Sequence, residues 1–193
     1  MLLLVATSAR DGDAISFRSH IYQSLRNSQL AVVDAFIGGS DESELVKMIN
    51  TSVHINDRPS AFRYPRGNGI GITMPSINEL LKIGKGRVIK EGKKAAILNF
   101  GTRLEECKKA SEILSQRGIN ITIIDARFSK PLDEKLIMEI ANNHEVLISI
   151  EEGSIGGFGS HVMQLLSDRG VFDKGIKFRS MILPDSFIDQ DTP

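Results

Sequence analysis

Two rhythms of apolar and polar positions divide this chain. From Lys94 onward, short apolar runs alternate with stripes of period 3.6. Lys94-Ala-Ala-Ile-Leu-Asn-Phe-Gly101 is an apolar run closed by glycine, the pattern of a buried strand. Thr102 stands where a helix N-cap belongs, since its hydroxyl can accept an orphan N–H. Leu104, Cys107, Ser111 and Leu114 then fall at i, i+3, i+7 and i+10, with Ala110 and Ile113 alongside, and Arg117-Gly118 closes the helix. The β-branched stretch 119–126 predicts a second strand. Pro131 precedes a second helix, capped by Asp133, with Leu136, Ile137, Ile140 and Ala141 facing inward. A third strand is predicted over 146–150 and a third helix over 160–168, with Val162, Leu165 and Leu166 on one face. The fourth strand, 177–183, stops at Pro184. Strands alternating with helices require parallel pairing through crossovers, so this half predicts an α/β fold: an open, mostly parallel sheet with helices on both faces.

The first half is less regular. A helix is expected over 16–29 and a strand over 31–37. A well-signalled helix covers 40–56, where Ser40 and Asp41 supply the cap, acids fill the first turn, and Leu45, Met48, Ile49 and Val53 recur at helical spacing. Residues 60–64 form a strand running into Pro65. The stretch 67–93 is rich in glycine and lysine, and Gly84-Lys85-Gly86 predicts a turn between short strands. A domain boundary is therefore expected between 70 and 93.

Composition narrows the classes. The 193 residues carry 24 basic and 24 acidic side chains, so there is no basic field to gather nucleic acid or an anionic membrane. The lone Cys107 rules out an intrachain disulfide and a cysteine zinc cluster, and fits a reducing, cytoplasmic setting. The apolar runs are too short to span a bilayer, and the apolar start has no basic residue before it, so no signal peptide is expected.

Three segments could carry chemistry. In Arg63-Tyr64-Pro65-Arg66-Gly67, two guanidinium groups leave a strand end three residues apart, where open α/β sheets bind ligands. They suit a phosphate or carboxylate, or one pairs with an acid while the other lies in solvent. The loop from Glu151 to His161 holds Gly153, Gly156, Gly157 and Gly159 between a strand and a helix. That spacing is not G-x-G-x-x-G, and two acids precede it, so close backbone approach to another domain or subunit is the better reading. Asp125, Arg127, Lys130 and Asp133 form a charged strand end that is either catalytic or fixes a loop or interface. The histidines at 20, 54, 144 and 161 lack metal-ligand spacing; His144 suits a helix end, and His161 alone starts a helix. Cys107, on an apolar stripe, reads as an inert core thiol.

Taken together these segments resemble a known family. Asp57-Arg-Pro-Ser-Ala-Phe-Arg-Tyr-Pro-Arg-Gly-Asn-Gly, Ile83-Gly-Lys-Gly-Arg-Val, Asp125-Ala-Arg-Phe-Ser-Lys-Pro-Leu-Asp, Glu151-Glu-Gly-Ser-Ile-Gly-Gly-Phe-Gly-Ser and Leu183-Pro-Asp-Ser-Phe-Ile-Asp are similar, in register from about residue 40, to the C-terminal part of 1-deoxy-D-xylulose-5-phosphate synthases. The resemblance implies residues 40–82 as a remnant of a transketolase-like pyrimidine-binding domain and 83–193 as a transketolase C-terminal domain, after an atypical segment 1–39. It implies a homodimeric, thiamine-diphosphate- and Mg2+-dependent transferase that condenses pyruvate with glyceraldehyde 3-phosphate and releases CO2, feeding isoprenoid, thiamine and pyridoxal synthesis. Carried over by position, Arg66 anchors the sugar phosphate, with Arg63 and Tyr64 in support. The family's metal and diphosphate domain and its activating glutamate find no match, residues 1–39 do not resemble it, and the match stops short of its usual end. The expectation is therefore no catalytic residue, no metal ligand, no bound cofactor and no turnover for this chain alone. The alternatives are a non-catalytic binding or oligomerisation module of the same fold, and an enzyme of another class using His161 with Glu151 or Glu152.

Overall fold

The computed structural model describes residues 2–6, 35–55, 60–64, 69, 71–76 and 79–186. The helix expected over 16–29 lies outside them, as do His20 and Arg66.

The second half follows the alternation read from the sequence. Strands β4 (Arg87–Lys90), β5 (Ala95–Phe100), β6 (Thr122–Asp125), β8 (Val146–Glu151) and β9 (Lys177–Met181) form a sheet of order β4-β6-β5-β8-β9. Its inner pairs are parallel, and β4 joins antiparallel at one edge. Helix α2 (Leu104–Gln116) covers one face, while α3 (Glu134–Asn143) and α4 (Phe158–Asp168) cover the other.

The sidedness follows from strand alternation. Ala96, Leu98 and Phe100 point toward α3 and α4, joining Ile124, Ile137, Leu147, Phe158, Val162 and Leu166 in the main core. Ile97 points the other way, to Leu104, Cys107, Ile121 and Ile123. Each fully buried apolar side chain of this kind contributes about 1.5–3 kcal/mol.

A second, mixed sheet precedes it. Strands β1 (Leu2–Ala6), β2 (Ala35–Gly38), β3 (Ser60–Tyr64) and β7 (Phe128–Lys130) lie in the order β1-β3-β2-β7, with only β2 and β3 parallel. Helix α1 (Glu42–His54) packs on this sheet through Met48, which meets Phe62, Leu81 and Phe128. Segment β7, not foreseen as a strand, is contributed by the second half of the chain and ties the two halves together.

Several local expectations shift. Asp41 caps α1 by accepting from Glu44 N at 2.8 Å, as read. The buried face of that helix, however, is Glu44, Met48, Thr51 and Ser52, while Ile49 and Val53 are exposed. Polar anchors turn it: Thr51 Oγ1 accepts from Leu81 N at 2.7 Å, and Glu44 is held by arginines. The N-cap of α2 is Arg103 and not Thr102, and no side chain caps that end. Ile113 lies outside the buried stripe of α2, at 54% exposure. Asp133 caps α3 as expected, accepting from Leu136 N at 3.3 Å and also from Lys85 Nζ at 2.9 Å. Helix α4 starts at Phe158, two residues before its predicted start.

Candidate functional site

Every residue of β3 up to Arg63 is buried, so alternation sends Phe62 into the α1 core and Arg63 the opposite way, toward the carboxyl end of β5. Arg63 is only 9% exposed, and its guanidinium carbon stands 5.3 Å from the centroid of the Phe100 ring. Phe100 in turn stacks on Phe158 with centroids 4.9 Å apart. Gly101, at φ +96°, adds no side chain here, and a Cβ would lie 3.4 Å from Arg63 Nη2. That nitrogen is buried and makes no hydrogen bond, and the neighbouring Thr102 Oγ1 is also buried without one. Burial pulls the Arg63 pKa down, while Glu151 and Glu152 oppose that pull. An arginine stays cationic even so, and a buried guanidinium with an unused N–H is a donor waiting for an acceptor.

The other two residues expected at this site are placed differently. Tyr64 stacks on Phe62 at 6.2 Å, on the α1 side of β3, so its ring and the Arg63 guanidinium point to opposite faces. Arg66 lies outside the described residues. Phe100 and Gly101 were missed by sequence reasoning; an apolar residue before a glycine reads only as a strand end.

The glycine loop closes around a side chain at its own start. The Glu151 carboxylate occupies it, accepting from Phe158 N at 3.0 Å and Gly159 N at 2.7 Å. A Cβ on Gly153 or Gly157 would fall 2.4 Å from Glu151 Oε2, so both glycines exist to admit that carboxylate. The amino end of α4, the obvious anion cradle, is filled by the protein's own anion. Glu152 pairs with Arg103 at 2.6 Å.

The Asp125–Asp133 cluster fixes an interface. Asp125 is fully buried at the end of β6 and accepts from Ser40 Oγ and Arg87 Nε, both at 3.0 Å. Arg87 also reaches Glu44 at 3.2 Å, and Arg127 holds Glu44 at 2.8 Å. These ion pairs join α1 to β4 and β6, the first half of the chain to the second. Burial pushes the Asp125 carboxyl up, against the pull of Arg87.

The histidines are spread out. His161 meets Ser129 Oγ at 3.3 Å, while Glu151 bonds the start of α4 and Glu152 pairs with Arg103, so each side chain on which an enzyme of another class would rest has a different partner. His144 closes α3, its Nδ1 at 2.9 Å from Ile140 O and its Nε2 at 2.7 Å from Thr122 Oγ1. Cys107 is buried, its thiol pushed up to about 11 mainly by burial. Among the described residues no three metal-ligating side chains cluster, and no helix is long and apolar enough to cross a membrane. A shallow cleft of about 310 Å³ opens at the far end of the sheet, lined by His144, Glu145, Lys174 and Lys177. None of the residues expected at a site from the sequence line it.

A mostly parallel α/β domain, keyed to a second sheet through buried ion pairs and presenting a buried arginine at its strand ends, is the class defined by this geometry. Residues 84–192 match the family model for the transketolase C-terminal domain, and the chain belongs to that family. Its fold is similar to that of a split-gene transketolase described as an inactive beta4 tetramer, with a TM-score of 0.64 and 24% identity over 78% of this chain. It is also similar to the H261F mutant of transketolase from Pichia stipitis, with a TM-score of 0.56 and 12% identity over 84% of this chain. The chain spans 48% of the first structure's length and 22% of the second's.

Proposed function

We propose that this chain is the C-terminal part of a 1-deoxy-D-xylulose-5-phosphate synthase, in which Arg66 anchors the phosphate of glyceraldehyde 3-phosphate, Arg63 and Tyr64 support it, and a second copy of the chain completes a homodimer. The observation that carries this reading is Arg63: a buried cation at the carboxyl ends of β3 and β5, stacked on Phe100, with one N–H unused. It leaves the strand three residues before Arg66, in a segment, Arg63-Tyr64-Pro65-Arg66-Gly67, that resembles this synthase. Tyr64 contributes through packing on Phe62, which fixes the strand end from the other face.

Thiamine diphosphate supplies, where it is bound, the carbanion chemistry of such enzymes. The described residues do not fit it: the glycine-rich helix start is filled by Glu151, and no metal-ligating cluster is present among them. The role of this chain is to position a sugar phosphate and to assemble, and alone it turns nothing over. Calorimetric titration tests both halves of the reading. Glyceraldehyde 3-phosphate is expected to bind saturably, and thiamine diphosphate with Mg2+ to give no saturable heat. The reverse pattern overturns the proposal.

A further inference from the structure

Among the described α-helices, three begin against a carboxylate of this chain: Asp41 at α1, Asp133 at α3 and Glu151 at α4. Helix α2 does not. Its N-cap is Arg103, with no capping side chain, and its first backbone bond runs from Cys107 N to Arg103 O at 3.0 Å. The N–H groups ahead of that bond are the positive end of a 13-residue helix. The turn leading into it, Gly101-Thr102, carries two further loose ends. Thr102 Oγ1 is buried without a hydrogen bond, and a Cβ on Gly101 would meet Nη2 of Arg63 at 3.4 Å. That nitrogen is also buried without a partner, on a side chain only 9% exposed. The carbonyl of the same turn is already engaged, since Gly101 O accepts from Asn99 Nδ2 at 2.8 Å.

What is left over here donates: a guanidinium N–H, a hydroxyl and the first amides of a helix. Buried donors without acceptors cost free energy, so the missing partner is a group rich in oxygen. A phosphate brings three terminal oxygens and a negative charge. The guanidinium fork and the helix start each suit it. Glu151 and Glu152 stand close enough to act on the charge of Arg63, but the first is held by the amides of α4 and the second by Arg103.

We propose that the Gly101-Thr102 turn and the amino end of α2 bind a phosphate group together with Arg63, with the Thr102 hydroxyl donating to one oxygen and the first α2 amides to another. The inference deepens the proposed site and rests on that reading's phosphate, but not on Arg66. The phosphate is either the end of a sugar phosphate or the free ion, which offer the turn the same terminal oxygens.

The test is titration of the 193-residue chain with glyceraldehyde 3-phosphate and, separately, with inorganic phosphate, followed by backbone amide NMR. Thr102→Val, which keeps the branched shape and drops the hydroxyl, is the variant. Because that hydroxyl has no partner in the free chain, the variant is expected to be at least as stable as the wild type in urea without ligand. Its affinity for phosphate is expected to fall about tenfold or more. The largest amide shifts on binding are expected at residues 102–106. Binding of the ester alone assigns the site to the sugar phosphate, and equal binding of both assigns it to the free ion. Unchanged affinity in Thr102→Val, or shifts centred on the cleft at Lys174 and Lys177, overturns the α2 site. If Arg66→Ala abolishes binding at the same time, the proposed function stands without it. A variant less stable than the wild type shows that the hydroxyl serves the fold, and also overturns the inference. No binding of either phosphate to the wild-type chain overturns both readings.

Discussion

The Glu151 carboxylate lies across the amino end of α4, accepting hydrogen bonds from Phe158 N at 3.0 Å and Gly159 N at 2.7 Å. Glu151 is 5% exposed, so removing its side chain leaves two buried N–H donors without an acceptor. Glu151→Ala is expected to cost about 1–3 kcal/mol in urea denaturation, with Glu151→Gln in between. Gly157→Ala, whose Cβ would sit 2.4 Å from the same carboxylate oxygen, is expected to destabilise by about 1–3 kcal/mol. Equal stability of all these variants would show that the loop does not depend on the carboxylate.

Asp125 gives a pH dependence of definite sign. Burial is the largest influence on it and raises its folded pKa above the unfolded value, with Arg87 pulling the other way. In the window from the ordinary aspartate range up to that raised value, the native chain holds the proton more tightly than the unfolded one. Its contribution to stability is therefore complete below the unfolded pKa and is lost as pH rises through the folded pKa. Compared with Asp125→Asn by denaturation at pH 7 and at acid pH, the wild type is expected to gain on acidification relative to the variant. A relative loss would mean that the arginines dominate the site.

Cys107 should be chemically silent. Its thiol is buried and pushed up to about 11, so almost none is thiolate at neutral pH. Labelling by a thiol-specific reagent at pH 7.5 is expected to be negligible in the native chain and complete in denaturant. Fast native labelling would place the thiol at an accessible site.

The second half of the fold was legible because its signals are local. The run from Ala95 to Phe100 ends in Gly101, and the Ile137, Ile140 and Ala141 stripe keeps helical spacing, so strand and helix declare themselves within a few residues. What escaped depends on groups far apart in the chain. Helix α4 starts at Phe158 because Glu151, seven residues back, folds over it. Strand β7 exists only as a partner of β2, some ninety residues earlier. Glu44 reads as an ordinary helix-start acid, yet Arg87 and Arg127 hold it buried at 1% exposure. At the candidate site, the paired arginines stood out from Arg63-Tyr64-Pro65-Arg66, while the Phe100 ring beneath Arg63 could not, since cation–ring stacking joins separate strands.

The central claim is that the strand end at Arg63 and Arg66 receives a sugar phosphate. The most direct measurement is calorimetric titration of glyceraldehyde 3-phosphate into the wild-type chain and into Arg66→Ala and Arg63→Ala, with unphosphorylated glyceraldehyde as the control ligand. Saturable binding that needs the phosphate, is lost in Arg66→Ala and weakens about tenfold or more in Arg63→Ala is the predicted result. Unchanged affinity in Arg66→Ala, or no binding to the wild-type chain, would contradict it.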